Sequence, residues 1–261
     1  MQWGKEFSGT LLDESNSIVT TPYGGYIFTG STYSNDGDFE GWYKSGDEYG
    51  DNVFVFKVDR NGNIQWKKFF GGDRWDTGST IIATNDRGYI VAGRTMSPNG
   101  DFHYLKKDYA GDIFVIKLDK DGDVSWKKVF GGSKIVQEKG VKQMPDDYAT
   151  SIAPTRDGGC ILTGGTYRAG DGDFVGQHCG KEDIFIIKLD DRGEVVNRDV
   201  LGGKKRESGV CITTAPDGAV VLTGHTSSKN GDVHQNMGGN DIFIIRLDQN
   251  GYLITSEGGG D

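Results

Sequence analysis

Cysteine, histidine and positive charge are all scarce in this chain, and each shortage removes a class of function. The three cysteines, Cys160, Cys179 and Cys211, are too few and too oddly numbered for a disulfide framework, and none has zinc-pair spacing. Cys160 and Cys211 lie in apolar strand patterns, where a free thiol behaves as a small buried hydrophobe; Cys179 falls in a loop and is the one expected to react. Of the four histidines, His103 and His234 share a repeat position, His178 lies in a third loop and His225 follows a strand. That scatter does not assemble the ligands a zinc site needs. A net charge of −9 argues against nucleic-acid or anionic-membrane partners, which want clustered Lys and Arg. No apolar run reaches membrane-spanning length; the longest, such as "DIFVIKLD", are strand-sized, so membrane insertion is not expected. No Gly-x-Ser-x-Gly, His-Glu-x-x-His or phosphate loop is present, so no catalytic residue is singled out. A basic-then-apolar leader is lacking too. Met1 runs almost at once into "QWGKEFSG", itself part of a repeat, and we expect a sequence trimmed of its signal peptide.

What the chain has in abundance is self-similarity and glycine, 42 of 261 residues. One unit runs "DTGSTIIATNDRGYIVAGRTMSPNGDF…AGDIFVIKLDKDGDVSWKKVFGG" from Asp76 to Gly132, and aligned copies begin near Asp13, Asp147 and Glu207. Trp66 and Trp126 hold one repeat position, Trp3 matches them, and Asn197 stands there in the third copy. Each unit of roughly 60 residues holds four strand-like runs, A to D, and no convincing helix. In the second copy these are "STIIAT", "GYIVAGRT", "DIFVIKLD" and "VSWKKVFGG". Strand C is apolar at nearly every position, so both its faces should be covered. Sheets stacked face to face around an axis give that cover, and four antiparallel strands per sheet make the blade of a β-propeller. We therefore expect an all-β, four-bladed propeller forming a single domain over 1–261. Its repeats fall roughly at 10–72, 73–132, 133–203 and 204–261, with 1–9 completing the last blade. Both "QWGKEFSG" and the C-terminal "GYLITSEGGGD" fit strand D, so a fragment of a larger propeller or repeat array is the alternative.

The stretch "DDYATSIAPTRDGGCILTGGTYRAGDGDFVGQHCGKEDIFIIKLD", Asp146 to Asp190, carries a further likeness. It resembles a repeat family common in secreted and cell-surface proteins of bacteria and some archaea. The family's units look like "GG…DYA.SI..T.DGGYI.TG.T.S.DGD..G...G.D.FV.KLD..GN..W.K.FGG". The resemblance covers nearly the whole chain. It implies a propeller-like fold and an extracellular or cell-surface setting, but no defined activity, since the family is mostly uncharacterised. Departures are Asn197 for the tryptophan, Asn52 where strand C usually opens with aspartate, and the long segment Ser133 to Pro145.

In an antiparallel blade the chain reverses after each strand, so the D-to-A and B-to-C loops share one end and the A-to-B and C-to-D turns the other. The turns are short and uniform. "DKDGD", with Asp119, Asp121 and Asp123, looks like the start of an EF-hand but lacks the later glutamate, and a hairpin turn explains it. The loop end is richer. Its D-to-A loops place Asp13, Asp76, Asp147 and Glu207 at one aligned position. Its B-to-C loops repeat a Gly-Asp core: Asp36 and Asp38, Asn99 and Asp101, Asp171 and Asp173, Asn230 and Asp232. Strand C opens with Asn52, Asp112, Asp183 and Asp241. Calcium takes six to eight oxygens, so the candidate metal ligands are Asp36, Asp38, Asp101, Asp112, Asp171, Asp173, Asp183, Asp232 and Asp241. The other reading is that these acids accept loop amides, as in Asx-turns.

Variation between copies points to the ligand. The first B-to-C loop adds Trp42, Tyr43 and Tyr49, the second Phe102, Tyr104 and Tyr109, and Trp75 lies in a D-to-A loop on the same face. Lys134, Lys139 and Lys142 bring positive charge to an otherwise acidic end. Aromatic rings beside carboxylates suit a sugar ring or a protein surface, so Trp42, Tyr43, Trp75, Tyr104 and Tyr109 are the candidate ligand-binding residues; the competing reading is that they pin long loops to the blade tops. The expectation is a non-catalytic extracellular module binding a glycan or protein, with calcium ordering its loops. A carbohydrate-active hydrolase or lyase using acids of the same face, and a structural spacer of a larger surface protein, are the alternatives.

Overall fold

The structure is a computed structural model that describes residues 3–22, 24–41, 50–105, 108–132, 136–138, 141–143, 146–167, 172–174, 180–232 and 236–254. The chain divides into two units, Met1–Ala149 and Thr150–Asp261. In the first, β1 (Asp13–Thr20), β2 (Tyr26–Thr32), β3 (Asn52–Val58) and β4 (Ile64–Phe70) form one sheet in chain order. A second has β5 (Asp76–Ala83), β6 (Tyr89–Thr95), β7 (Asp112–Leu118) and β8 (Val124–Phe130). A small hairpin of β9 (Val136–Glu138) and β10 (Val141–Gln143) follows, formed by the inserted segment for which no strand was expected. The third sheet has β11 (Asp147–Pro154), β12 (Cys160–Thr166), β13 (Asp183–Leu189) and β14 (Val195–Leu201). The last has β15 (Glu207–Thr214), β16 (Val220–Thr226) and β17 (Asp241–Leu247). The fold is thus all-β, with four antiparallel sheets built like propeller blades. The fourth has three strands rather than four among the described residues. Its strand D only begins, where Leu253 bridges Leu247.

The hairpins follow from local chemistry. In every C-to-D turn one aspartate oxygen accepts two backbone amides: Asp59 from Asn61 and Asn63, Asp119 from Asp121 and Asp123, Asp190 from Arg192 and Glu194, Asp248 from Asn250 and Tyr252. The EF-hand-like "DKDGD" is one of these turns, with Asp123 paired to Lys68 at 2.9 Å. In the second and third sheets the A-to-B turn is tied to strand C by a lysine, and in the fourth by Arg246, which pairs with Asp217. Lys117 is buried yet bonds the Asp86 carboxylate at 2.8 Å, and Lys188 bonds Asp157 at 2.6 Å. Partial burial pushes Asp86 upward, but the Lys117 ammonium, the Thr84 hydroxyl and the Gly88 amide outweigh it and hold the carboxyl at about 2.

In the first three sheets strand C is buried on both faces, as its continuous apolar run requires: Val53–Phe56, Ile113–Ile116 and Ile184–Ile187 have almost no exposed surface, whereas Ile242 and Ile244 of β17 are exposed. Val53 and Val55 of the first sheet share a cluster with Ile81 of the second, and Ile184 and Ile186 of the third share one with Ile212 of the fourth. At about 2 kcal/mol per buried side chain, these seams carry much of the stability. The repeated tryptophan fastens them from outside. Trp66 on β4 donates to the Lys120 carbonyl in the next sheet's turn at 3.3 Å and meets Tyr89 edge-on. Trp3 does the same to Arg60 at 3.0 Å and Tyr26. Where Asn197 replaces the tryptophan, its Nδ2 is buried with no hydrogen-bond acceptor. Cys160 is buried as expected; Cys211, expected to be buried, is exposed, its Sγ 4.0 Å from the Ser151 hydroxyl.

Candidate ligand face at the seams between sheets

The acid that opens each strand A is a clamp. Asp76 Oδ1 accepts from the Thr95 hydroxyl at 2.5 Å, while Oδ2 accepts from Ser97 at 2.7 Å and the Gly72 amide at 2.9 Å. Asp13 repeats this with Thr32, Ser34 and Gly9, and Glu207 with Thr226, the Ser228 amide and Gly203. Asp147 accepts from the Gly132 amide at 3.2 Å. The sequence signal was present in the Thr-x-Ser that ends strand B, which recurs wherever the full clamp does. Asp76 has no exposed surface. Burial, which its hydrogen bonds only partly offset, pushes its carboxyl up to about 6, and the neighbouring Asp51 charge adds to the rise. Burial likewise raises Asp51.

The Gly-Asp-Phe core forms one turn of 3-10 helix in three copies, Gly37–Phe39, Gly100–Phe102 and Gly172–Phe174, each burying its phenylalanine. The turn grips the loop that leads into strand A. Asp101 donates its amide to the Gly71 carbonyl at 2.9 Å and accepts from the Gly71 amide at 3.2 Å, while Asn99 accepts from Asp73 at 3.0 Å. Asp38 exchanges the same pair of bonds with Ser8, Asp36 accepts from Thr10, and Asp232 exchanges its pair with Gly202. The strand C openers face the same loops. A Cβ on Gly71 would fall 2.0 Å from Asn52 Oδ1, and one on Gly131 or Gly202 would fall 2.1 Å from Asp112 or Asp183 Oδ1. Asp183 also accepts from the Gly180 amide at 3.1 Å and Asp241 from Met237 at 2.6 Å.

Cationic side chains of strand D reach these turns. Lys67 donates to the Asp38 carbonyl at 2.9 Å, Lys127 pairs with the Asp101 carboxylate at 3.2 Å, and Arg198 with Asp173 at 2.6 Å. Among the described residues, no three of His, Cys, Asp and Glu gather as a metal ion requires; Asp171 lies outside them. With Lys127 and Arg198 already paired to Asp101 and Asp173, calcium-saturated and EDTA-treated samples are expected to melt within about 1 °C of each other. A fall of several degrees on chelation would instead place a cation in these loops.

The sheet seams differ most in the residues beside the clamps. Between the first and second sheets the Trp75 indole lies beside the Tyr33 hydroxyl, and the Arg74 guanidinium lies 4.7 Å from the centre of the Tyr109 ring. Trp75 and Tyr109 are each 42% exposed. Elsewhere in the first unit Arg94 of β6 pairs with Asp146, the residue before β11. In the second unit Arg206 bonds both Glu182 and the Tyr167 hydroxyl, its guanidinium 5.3 Å from that ring. Of the five expected ligand residues, Tyr109 lies against the Arg74 guanidinium, and Trp75 follows Arg74 in the same loop. Tyr104 is almost fully exposed and stacks on His103 instead; Trp42 and Tyr43 lie outside the described residues, as do Lys134, Lys139 and Tyr49. Phe102, grouped with the loop aromatics, is buried in the core. Tyr33, Arg74, Tyr167 and Arg206 were missed, because a single arginine or tyrosine at a strand end carries no pattern until its partner is known. A groove of about 480 Å³ also opens in the first unit, between Glu40, Gly41, Lys67, Phe69, Gly100 and Asp101.

No family model and no curated protein matches the chain, so the likeness to a surface-protein repeat family rests on its residues alone. Among solved structures, Kuenenia stuttgartiensis hydrazine synthase is similar over 89% of this chain and 51% of its own, at 15% identity and a TM-score of 0.43. A GH43_12 protein retrieved from a capybara gut metagenome is similar over 93% of this chain and 43% of its own, at 12% identity and a TM-score of 0.35. The chain spans about half the length of these structures or less. Among the described residues no helix is long and apolar enough to cross a membrane.

Proposed function

We propose that this chain is a non-catalytic binding module of an extracellular or cell-surface protein, and that it takes a glycan at the seam between its first two sheets. The observation that carries this reading is the half-exposed Tyr109 ring set against the Arg74 guanidinium, with the equally exposed Trp75 next to Arg74 in the same loop. A flat aromatic face receives the apolar side of a sugar ring, and a guanidinium fork beside it bonds hydroxyls or a carboxylate. The acids of this end support a binding role over a catalytic one. Asp76, the carboxyl pushed into the range of a general acid, has no surface to offer a substrate. The extracellular setting comes from the repeat-family resemblance.

A glycan array screened with the parent chain and Trp75→Ala tests the reading. The variant is expected to keep its melting temperature, since the ring is half exposed, and to lose at least ~10-fold in affinity, the worth of one anchoring aromatic. Turnover of an array member that is lost when a single acid is changed would favour the carbohydrate-active enzyme. Silence in both assays would leave the structural spacer.

A further inference from the structure

The A-to-B turn has one backbone form in the first three sheets. Thr21, Thr84 and Thr155 each donate an amide to the carbonyl of a glycine four residues on, at 2.9, 2.9 and 3.1 Å, and the residue before that glycine donates back at 3.1, 3.0 and 3.1 Å. The glycine is pressed against the end of strand C. A Cβ on Gly25, Gly88 or Gly159 would fall 2.2, 2.4 or 2.0 Å from the carbonyl oxygen of Val58, Leu118 or Leu189. In the second and third sheets this cradle holds a carboxylate. Asp86 accepts from the Gly88 amide at 3.0 Å, the Thr84 hydroxyl at 2.5 Å and the Lys117 ammonium at 2.8 Å. Asp157 accepts from the Gly159 amide at 3.2 Å, the Thr155 hydroxyl at 2.6 Å and the Lys188 ammonium at 2.6 Å.

The first sheet keeps all three donors and lacks the acid, because "TPYGG" has Tyr23 where "TNDRG" has Asp86. Tyr23 itself lies outside the described residues. The donors are redirected to neutral groups: the Gly25 amide to the Thr21 hydroxyl at 3.2 Å, and the Lys57 ammonium to the Gln65 side chain at 2.9 Å. A second cation stands nearby. Asn61 replaces the aspartate with which Lys120 pairs in the second sheet, and Arg60 has no acidic partner among the described residues. A groove of about 500 Å³ opens here, lined by Thr21, Gly25, Lys57, Arg60, Asn61 and Gln65. Asp59 lies on its edge, but both its oxygens are taken up within its own turn, by the Asn61 and Asn63 amides and the Asn63 side chain.

We propose that this groove binds the carboxylate of a sugar acid, at the place that Asp86 and Asp157 occupy in their own sheets. The Lys57 ammonium, the Thr21 hydroxyl and the Gly25 amide receive the carboxylate, and Arg60 adds a second cation at the mouth. The lining specifies the rest of the ligand. It offers hydroxyl, carboxamide and charged groups and no apolar side chain among the described residues, so a hydrocarbon chain would find no surface to bury against. Ring hydroxyls, which both donate and accept, match Asn61 and Gln65. The groove lies at the turn end of the first sheet and Trp75, Arg74 and Tyr109 at the loop end, so the two sites are separate.

Titration of the isotope-labelled chain, followed by amide chemical shifts, tests the proposal with glucuronate and galacturonate as probes and glucose and acetate as controls. At least one uronate is expected to bind saturably with a Kd of about 1 mM, the strength of one charge-assisted carboxylate contact with a few neutral hydrogen bonds. Glucose lacks the carboxylate and acetate the hydroxyls, and each should bind at least ~10-fold more weakly. Tyr23→Asp supplies the internal carboxylate of the other copies, so this variant should fold and lose uronate binding. Lys57→Met, at a half-buried position, should keep its melting temperature within a few degrees and lose ~10-fold or more in affinity. Trp75→Ala should leave uronate binding unchanged, which separates this site from the one at the loop end. Uronate binding that survives Tyr23→Asp or Lys57→Met would overturn the proposal. So would equal affinity for acetate, or no saturable shift with either uronate up to about 50 mM.

Discussion

Gly100→Ala is expected to cost about 4 kcal/mol or more, enough to unfold a domain of ordinary stability. Gly100 has φ +60°, where an alanine costs about 1–2 kcal/mol by its conformation alone. The larger part is contact. Its Cβ would stand 2.1 Å from the Gly71 carbonyl oxygen and 2.9 Å from the Gly72 Cα, both backbone atoms that no rotamer change can move. Withdrawing the turn would break the paired bonds between Asp101 and Gly71 and draw the buried Phe102 out of the core. Gly239 supplies the control. Its φ is +71° but no atom lies within 4 Å of the position a Cβ would take. Gly239→Ala should therefore lose only about 1 kcal/mol, the conformational part. Denaturant melts of the two variants separate the effects, and equal losses would refute the clamping role of the Gly-Asp-Phe turn.

That turn also marks the limit of what the chain discloses unaided. The strands were legible because period and turn chemistry are local: "DKDG" and "TNDRG" fold through bonds spanning at most four residues, and the apolar run of strand C states its own burial. The recurrence of Gly-Asp-Phe could be read as a required exit from strand B. What the two acids bond could not, because Asp38 meets Ser8 and Asp101 meets Gly71 across 30 residues. A row of acids on one end of a sheet therefore left two readings open, a ligand set for a cation and acceptors for loop amides. The lysines and arginines of strand D that lie against three of these turns alternate with outward positions and resemble any solvated strand face. The inserted hairpin β9–β10 was hidden for a different reason, since three-residue strands are too short to express a period. Cys211 went wrong through the same logic that placed Cys160 correctly. Its strand is of the buried type, but burial depends on a neighbour that the pattern does not encode.

The pH dependence of Asp76→Asn should isolate the clamp acid. In the unfolded chain the carboxyl titrates near 3.8; in the folded chain burial raises it to about 6. Below about pH 3 both states are protonated and the group contributes nothing. Between about 4 and 6 the folded state holds a proton that the unfolded state has released, so stability falls as pH rises through this window and then levels off. The whole span is worth about 3 kcal/mol. Asparagine keeps the shape and cannot ionise. Its oxygen can still take the Gly72 amide, and its Nδ2 can face the Thr95 hydroxyl, which turns to accept. The stability of the variant relative to the parent should thus improve by up to about 3 kcal/mol between pH 4 and pH 7. The neighbouring Asp51 charge is one cause of the rise at Asp76, so its relief is already part of that span. Carboxyls held low, such as Asp86, are present in both chains and cancel in the difference. A difference that stays constant with pH would mean that Asp76 is not ionised at a cost, and that the clamp holds the seam as a solvated carboxylate would.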